Sequence, residues 1–223
     1  MEETSSAADA RLDAAPLDGT RLTARGAKTR ARIVATAADL MRVRGVGGTT
    51  LDDVVSASNV SKSQLYRHFE DKAALVRAVI ELVGERVISG ERERLGNVRT
   101  FTGLRRWRDA LVQNNALEQG RYGCALGSLA NEVADQDAVA REKLRDLFAA
   151  WQELFDELLR RFQREGLIPE DADVAQLAAG FVAAVQGGYL LAQTARDVTP
   201  MASAIDMAIA HLRLLAHEQA DVS

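Results

Sequence analysis

Proline is almost absent from this chain, which constrains its fold more than any other single feature. Only Pro16, Pro169 and Pro200 occur in 223 residues. Because proline breaks helices from within, the long interval between the first two permits uninterrupted helix. No segment shows the sustained alternation that a half-buried strand requires. The apolar residues instead recur at helical spacing. Ile33, Val34, Ala37, Leu40 and Met41 make one stripe, ended by Gly45. Asp71 caps a helix carrying Leu75, Val76 and Val79, and Phe101, Leu104, Trp107 and Leu111 make a further stripe. Leu144 to Phe162 line a long helix from about Asp137 to Glu165, stopped by Gly166 with Pro169 beyond it. Two last helices, about 171–197 and 200–217, follow, with Thr199 expected as N-cap and Pro200 at the first helical position. The expected fold is all-α with about nine helices: an N-terminal helix-turn-helix three-helix domain, then a larger C-terminal helical bundle. Residues 1–24, aperiodic and rich in Ala, Ser and Asp, are expected to be a disordered tail. Domains are expected over 25–72 and 73–218.

Composition narrows the function. The formal net charge is −4, but residues 1–19 carry −4, residues 20–80 carry +6 and the remainder −6. A basic segment on an acidic body is the asymmetry of a nucleic-acid module attached to something else. A lone cysteine, Cys124, excludes an internal disulfide and half of a thiolate metal site. The acidic start Met1-Glu2-Glu3-Thr4 leads into no apolar region, which argues against a secretory signal. No apolar run reaches the roughly 18 residues of a membrane span. A cytoplasmic protein, without cofactor or metal, is expected. Enzyme signatures are missing too. Gly45-Val46-Gly47-Gly48 lacks the length and lysine of a P-loop, and His211 and His217 are off the i, i+4 spacing of paired ligands.

Within the basic segment two short helices flank a tight turn. Thr50-Leu51-Asp52-Asp53 is a capping box opening a helix to about Ala57, with Leu51, Val54 and Val55 inward. Ser58-Asn59-Val60 turns the chain, Asn59 tolerating a left-handed backbone. Ser61-Lys62-Ser63-Gln64 is a second capping box, opening a helix with Leu65 and Phe69 inward. Such a unit lays its second helix in the DNA major groove.

These residues resemble a known family. Thr49 to Val55, then Val60-Ser61-Lys62-Ser63-Gln64-Leu65-Tyr66-Arg67-His68-Phe69, then Asp71-Lys72-Ala73-Ala74-Leu75, are similar to the DNA-binding domain of TetR-family transcriptional regulators over about 28–82. Asn59 stands where that family usually has Gly, and tolerates the same backbone. Gly123-Cys124-Ala125-Leu126-Gly127-Ser128-Leu129-Ala130 resembles a branch linked with multidrug-responsive control. The resemblance implies that Lys62, Ser63, Gln64, Tyr66, Arg67 and His68 face DNA, with Thr50 and Lys72 on phosphates. Helix N-termini do offer free N–H groups to phosphate, and Gln and Arg can pair with base edges. Plainer roles stand beside these: Gln64 closing its capping box, Tyr66 and His68 packing a small core, Lys62 and Arg67 as solvated charges.

The body has surplus apolar surface. Ala175, Ala178, Ala179, Ala183, Ala184, Gly187 and Gly188 allow close approach, while Met207 and Leu214 lie off the main stripe of the last helix. A helix apolar on more than one stripe needs two partners, and the resemblance implies a homodimer through 171–197 and 200–217. It further implies a pocket for a small, largely apolar effector, for which Trp107, Leu111, Tyr122, Cys124, Asn131, Phe148, Trp151, Phe155, Gln186 and Tyr189 are candidates. Ordinary core packing is the competing reading of these aromatics, and Cys124 reads as a buried small hydrophobe. The functional expectation is a homodimeric repressor on a palindromic operator, released by its effector. A helical small-molecule carrier without DNA binding would leave the +6 segment unexplained.

Overall fold

The computed structural model describes residues 23–222, with side chains from 23 to 216, and among these every regular element is helical. Nine helices follow in order: α1 (Ala24–Arg44), α2 (Leu51–Ser58), α3 (Lys62–His68), α4 (Lys72–Gly96), α5 (Phe101–Leu117), α6 (Ala125–Val133), α7 (Ala138–Arg164), α8 (Val174–Ala195) and α9 (Thr199–Val222). The all-α expectation holds. Most of the expected tail, residues 1–22, lies outside the described residues. Its last two positions are ordered: Thr23 caps α1, its hydroxyl accepting from the Gly26 N–H at 3.2 Å, and Ala24 begins the helix.

Helix α1 buries Ile33, Val34, Ala37, Ala38 and Met41. It ends at Gly45, whose φ of 75° suits a residue without a Cβ. Val54 of α2, Leu65 of α3 and Phe69 complete this small core. The turn spans Asn59 to Ser61, one residue later than expected, because Ser58 stays helical and back-bonds to the Val54 carbonyl at 2.6 Å. Asn59 takes φ 51°, ψ 50°, the left-handed conformation anticipated for it.

Helix α4 leaves this unit and enters the body, packing on α1 at one end and α7 along the other. Helix α7 runs between caps Asp137 and Glu165, as its periodicity predicts. Its stop is also as read, Gly166 having φ 67°. Helices α8 and α9 pack extensively on each other, and α8 on α7. Thr199 is not the cap of α9 but lies inside its first turn. Asp197 accepts from its N–H at 3.0 Å and its hydroxyl at 2.9 Å.

A second correction concerns α8. Run length alone argued against a membrane span, yet the helix Val174–Ala195 is long and apolar enough for one by length and composition. Its glutamines and glycines interrupt the apolar run without adding charge. Here Val174, Ala178, Phe181, Val182, Val185 and Ala192 are buried in the bundle. A Cβ on Gly188 would lie 2.9 Å from the Met201 Cα. The two backbones can approach only because position 188 has no side chain. Gly188→Val should therefore destabilise the fold by about 1–3 kcal/mol, seen as a lower denaturant midpoint with an unchanged m-value.

Candidate nucleic-acid interface and body cavity

Both capping boxes form. Thr50 Oγ1 accepts from the Asp53 N–H at 3.1 Å, and Asp53 Oδ2 accepts from the Thr50 N–H at 2.9 Å. Ser61 Oγ accepts from the Gln64 N–H at 3.2 Å, and Gln64 Oε1 accepts from the Ser61 N–H at 2.8 Å. Each box satisfies helix-end N–H groups that would otherwise lack partners. With Leu65 and Phe69 buried, Lys62, Ser63, Tyr66 and Arg67 are left on the outward face of α3. Tyr66, a large aromatic residue, is 55% exposed, so the packing alternative does not describe it. Lys62 pairs with Asp52 at 2.8 Å, an exposed contact of small energetic weight.

The other predicted residues sit differently. Gln64 has its carbonyl committed to its cap. His68 is half-buried, its Nδ1 shielded and unpartnered, with its ring centroid 6.5 Å from that of Phe69. Lys72 donates to the Val46 carbonyl at 2.6 Å, bracing the start of α4 against the turn after α1. Thr50 remains exposed at the N-terminus of α2.

The turn after α1 is also held from the body, by residues that sequence reasoning passed over. Glu132 of α6 accepts from the Gly47 N–H at 3.1 Å. Arg42 donates to both carboxylate oxygens of Glu118 at 2.8 and 3.0 Å. Its guanidinium carbon also lies 4.3 Å from the Tyr122 ring centroid. Only this fold brings positions 42, 47, 118, 122 and 132 together, so no local spacing announces the cluster.

In the body a cavity of 330 Å³ lies between α6, α7 and α8. Its walls are Cys124, Gly127, Ser128, Ala130 and Asn131, then Phe148, then Gln186, Gly187, Tyr189, Leu190 and Gln193. Five predicted residues thus meet: Cys124, Asn131, Phe148, Gln186 and Tyr189. Tyr122 lines a separate 170 Å³ crevice between α1, α4 and α6. Trp107, Leu111, Trp151 and Phe155 line neither; they are core, 5% exposed or less. Trp107 packs edge-on to Phe155 at 5.4 Å and donates to Glu91 Oε2 at 2.8 Å. Trp151 stacks on Phe148, centroids 6.5 Å apart, so it backs the cavity wall. Gln186 donates to Cys124 Sγ at 3.4 Å. Burial raises the pKa of the Cys124 thiol and of the Tyr189 phenol, keeping both protonated.

The sequence carried a signal for two of the overlooked residues. Gln193 stands seven positions after Gln186 on an uncharged helix, hence on the same face. Glu91 occupies the apolar register of Gly84, Ile88 and Leu95, a carboxylate where a core residue belongs.

Comparison with known proteins places the chain in a class. Residues 33–79 match the family model of bacterial regulatory proteins of the tetR family. Residues 102–208 match the tetracyclin repressor-like C-terminal domain. The chain belongs to the TetR family of transcriptional regulators. It is 28% identical over 178 residues to an HTH-type transcriptional regulator of Mycobacterium tuberculosis, covering 77% of this chain and 88% of that one. In fold it is similar to the regulatory protein TetR from Rhodobacter sphaeroides, with TM-score 0.73 and 22% identity over 82% of this chain and 98% of that one. It is also similar to a cysteine mutant of CifR complexed with 26-base-pair operator DNA, with TM-score 0.68 and 19% identity over 80% and 94% of the two chains.

The box at α2 has a pH signature. Hydrogen bonds from the Thr50 hydroxyl and N–H hold Asp53 below its ordinary pKa of 3.8. A depressed carboxylate contributes stability that is present above its unfolded value and lost as pH falls through the folded one. Thr50→Val should move the Asp53 titration back up toward 3.8, measured by carboxyl-carbon NMR. An unmoved titration would show that the hydroxyl contributes nothing.

Proposed function

We propose that this regulator is a repressor that binds a pseudo-palindromic DNA operator as a homodimer, and that a small effector in the body cavity releases it. The observation carrying the DNA half is the outward face of α3, where Lys62, Ser63, Tyr66 and Arg67 stand clear of the core. Lys62 and Arg67 supply charge for phosphate or guanine. Thr50 adds a helix terminus at the same edge. Gln64 and Lys72 support the interface by holding its frame, since the carbonyl of one and the ammonium of the other are engaged internally.

Dimerisation is supported by apolar surface that the protomer leaves uncovered. Leu190 and Leu191 of α8 are 52% and 55% exposed, and Met207 and Leu214 of α9 are 75% and 61% exposed. Gly180, Ala183 and Gly187 lie on the open side of α8, allowing a second helix pair to approach. In the dimer two copies of α3 must stand about one DNA turn apart, roughly 34–36 Å.

Release is supported by the position of α6. One side of this helix lines the cavity with Gly127 and Asn131, and Glu132 on the other holds Gly47. An effector that prefers a shifted α6 thereby acts on the turn between α1 and α2. Helix α4, rooted in the same unit, carries the movement on its own axis. The effector must discriminate between the two conformations, since equal affinity for both shifts nothing.

Selection of duplexes from a random pool, followed by fluorescence anisotropy, tests the DNA half. Affinity should fall as salt rises. Arg67→Ala should cost about 1–3 kcal/mol on the selected operator if Arg67 reads a base. The double variant Met207→Glu, Leu214→Glu should be monomeric by light scattering and bind the operator poorly. A wild-type monomer at micromolar concentration would refute the dimer.

Coupling has its own test. Glu132→Gln should leave effector affinity intact while reducing the factor by which effector weakens operator binding. That factor is typically about 5- to 150-fold. An unchanged factor would remove Glu132 from the route.

A further inference from the structure

Among the described residues, the walls of the body cavity contain no Asp, Glu, Lys, Arg or His. Every polar group facing it is neutral. Asn131, Gln186 and Gln193 bring three carboxamides, each offering an acceptor oxygen and two donor hydrogens. Ser128 and Tyr189 add hydroxyls, and Phe148 supplies a flat apolar wall. Gln186 presents its carbonyl oxygen 2.7 Å from where a Gly127 Cβ would lie, so the missing side chain at 127 leaves this amide its room. Gly187 and Leu190 are exposed, so the cavity opens at the α8 face proposed for the partner. An ion that passes inside them sheds water and meets no countercharge on the described walls, which is the costly way to bury one.

A fixed negative charge lies behind the walls. Glu91 is 3% exposed. One of its oxygens accepts from Trp107 and the other from Arg94, and the residue does not line the cavity. Burial is the main reason that the Cys124 and Tyr189 side chains hold their protons, but the Glu91 charge pushes both in the same direction. Arg94 opposes it at Tyr189. The Arg94 side chain is 44% exposed against 3% for Glu91, so solvent screens the cation more than the anion.

Resting on the cavity as the effector site, we infer that the effector is an uncharged, ring-bearing molecule with both hydrogen-bond donors and acceptors, and that ionised acids and bases are rejected. The ring packs on Phe148, and the carboxamides of Asn131, Gln186 and Gln193 read its polar edge. A volume of 330 Å³ is at the lower end of ligand sites, which run from roughly 300 to 1,000 Å³. The molecule is therefore compact.

Three probes of one shape separate charge from size: benzamide, benzoate and benzamidine. Each is titrated into the full-length protein at neutral pH, following tryptophan fluorescence, which Trp151 against Phe148 makes sensitive to the cavity. Benzamide should bind at least about tenfold more tightly than either ion. Gly127→Leu should abolish its binding by filling the cavity, which locates the probe. Gln193→Lys, placing a cation on the wall, should shift preference toward benzoate. Glu91→Gln should narrow the gap between benzamide and benzoate. Benzoate or benzamidine binding as tightly as benzamide would overturn the inference, as would failure of all three to bind. Operator anisotropy recorded alongside keeps the two readings apart. Selective binding of benzamide without operator release would count against the effector role alone.

Discussion

Helix α4 belongs to two cores at once, and the remaining architecture is organised around that sharing. Its first turns bury Leu75, Val76, Ala78, Val79 and Ile80, and its later ones bury Ile88 and Leu95. Between them Gly84 faces Leu147 of α7 so closely that a Cβ would sit 2.4 Å from that side chain. The helix is continuous over 25 residues, or roughly 37 Å at 1.5 Å per residue. No proline or cap interrupts it, so it forms one continuous rod. Any displacement in the body must reach the helix-turn-helix either through that rod or across the contacts beside it. Polar contacts beside the rod include Glu132 on Gly47 and Arg42 on Glu118, and the rod itself carries Arg77 on Asp137 at 2.7 Å. Arg77–Asp137 ties α4 to the N-terminus of α7, because Asp137 is also that helix's cap.

Local features of the sequence were legible, and tertiary ones were not. Helix periods, both capping boxes, the left-handed Asn59 and the limits of α7 follow from interactions within about four residues of each other. Sequence patterns register these directly. The aromatic residues of the body illustrate the limit. Spacing places Trp107, Trp151 and Phe155 on inward faces, which is correct, but cannot say whether the inward space is filled. In the fold these rings fill one another's space, Trp107 against Phe155 and Phe155 against Phe181 at 5.1 Å. The open volume falls instead beside glycines, Gly127 and Gly187, where side-chain bulk is missing. Lys72 shows the same limit. A lysine at a helix N-terminus suggests phosphate, yet the nearby Val46 carbonyl is brought to it by a turn 26 positions earlier.

Buried polar residues occur in both parts, Thr49 and Ser58 in the N-terminal unit and Glu91 and Asn115 in the body, and they are arranged differently in the two. In the N-terminal unit the polar atoms serve the backbone: Thr49 returns to the Gly45 carbonyl at 2.8 Å and Ser58 to that of Val54. In the body, by contrast, Glu91, Trp107 and Arg94 join three side chains from α4 and α5. Such a network fixes the position of each member, because removing one leaves another unsatisfied in a low-dielectric setting. This network cross-links α4 and α5, which sets it apart from the α6 segment in front of the cavity. That segment is nine residues long and has no side-chain hydrogen bond at its N-cap, Cys124.

Helix α6 divides its work by face. Gly127, Ala130 and Asn131 turn to the cavity, Ala125, Leu129 and Glu132 turn to the crevice beside α1 and α4, and Ser128 lines both. On the proposed reading, recognition at Gly127 and Asn131 and the hold of Glu132 on Gly47 fall to different side chains of one short rod. Changes at 127 or 131, or across the gap at 186 and 193, can alter what the cavity accepts while the hold on Gly47 stays intact. On that reading, descendants of such a chain exchange one signal for another by drift in a handful of wall positions, keeping an inherited transmission. The same separation makes the protein a convenient chassis for biosensors, in which the wall is randomised and the grip is left alone.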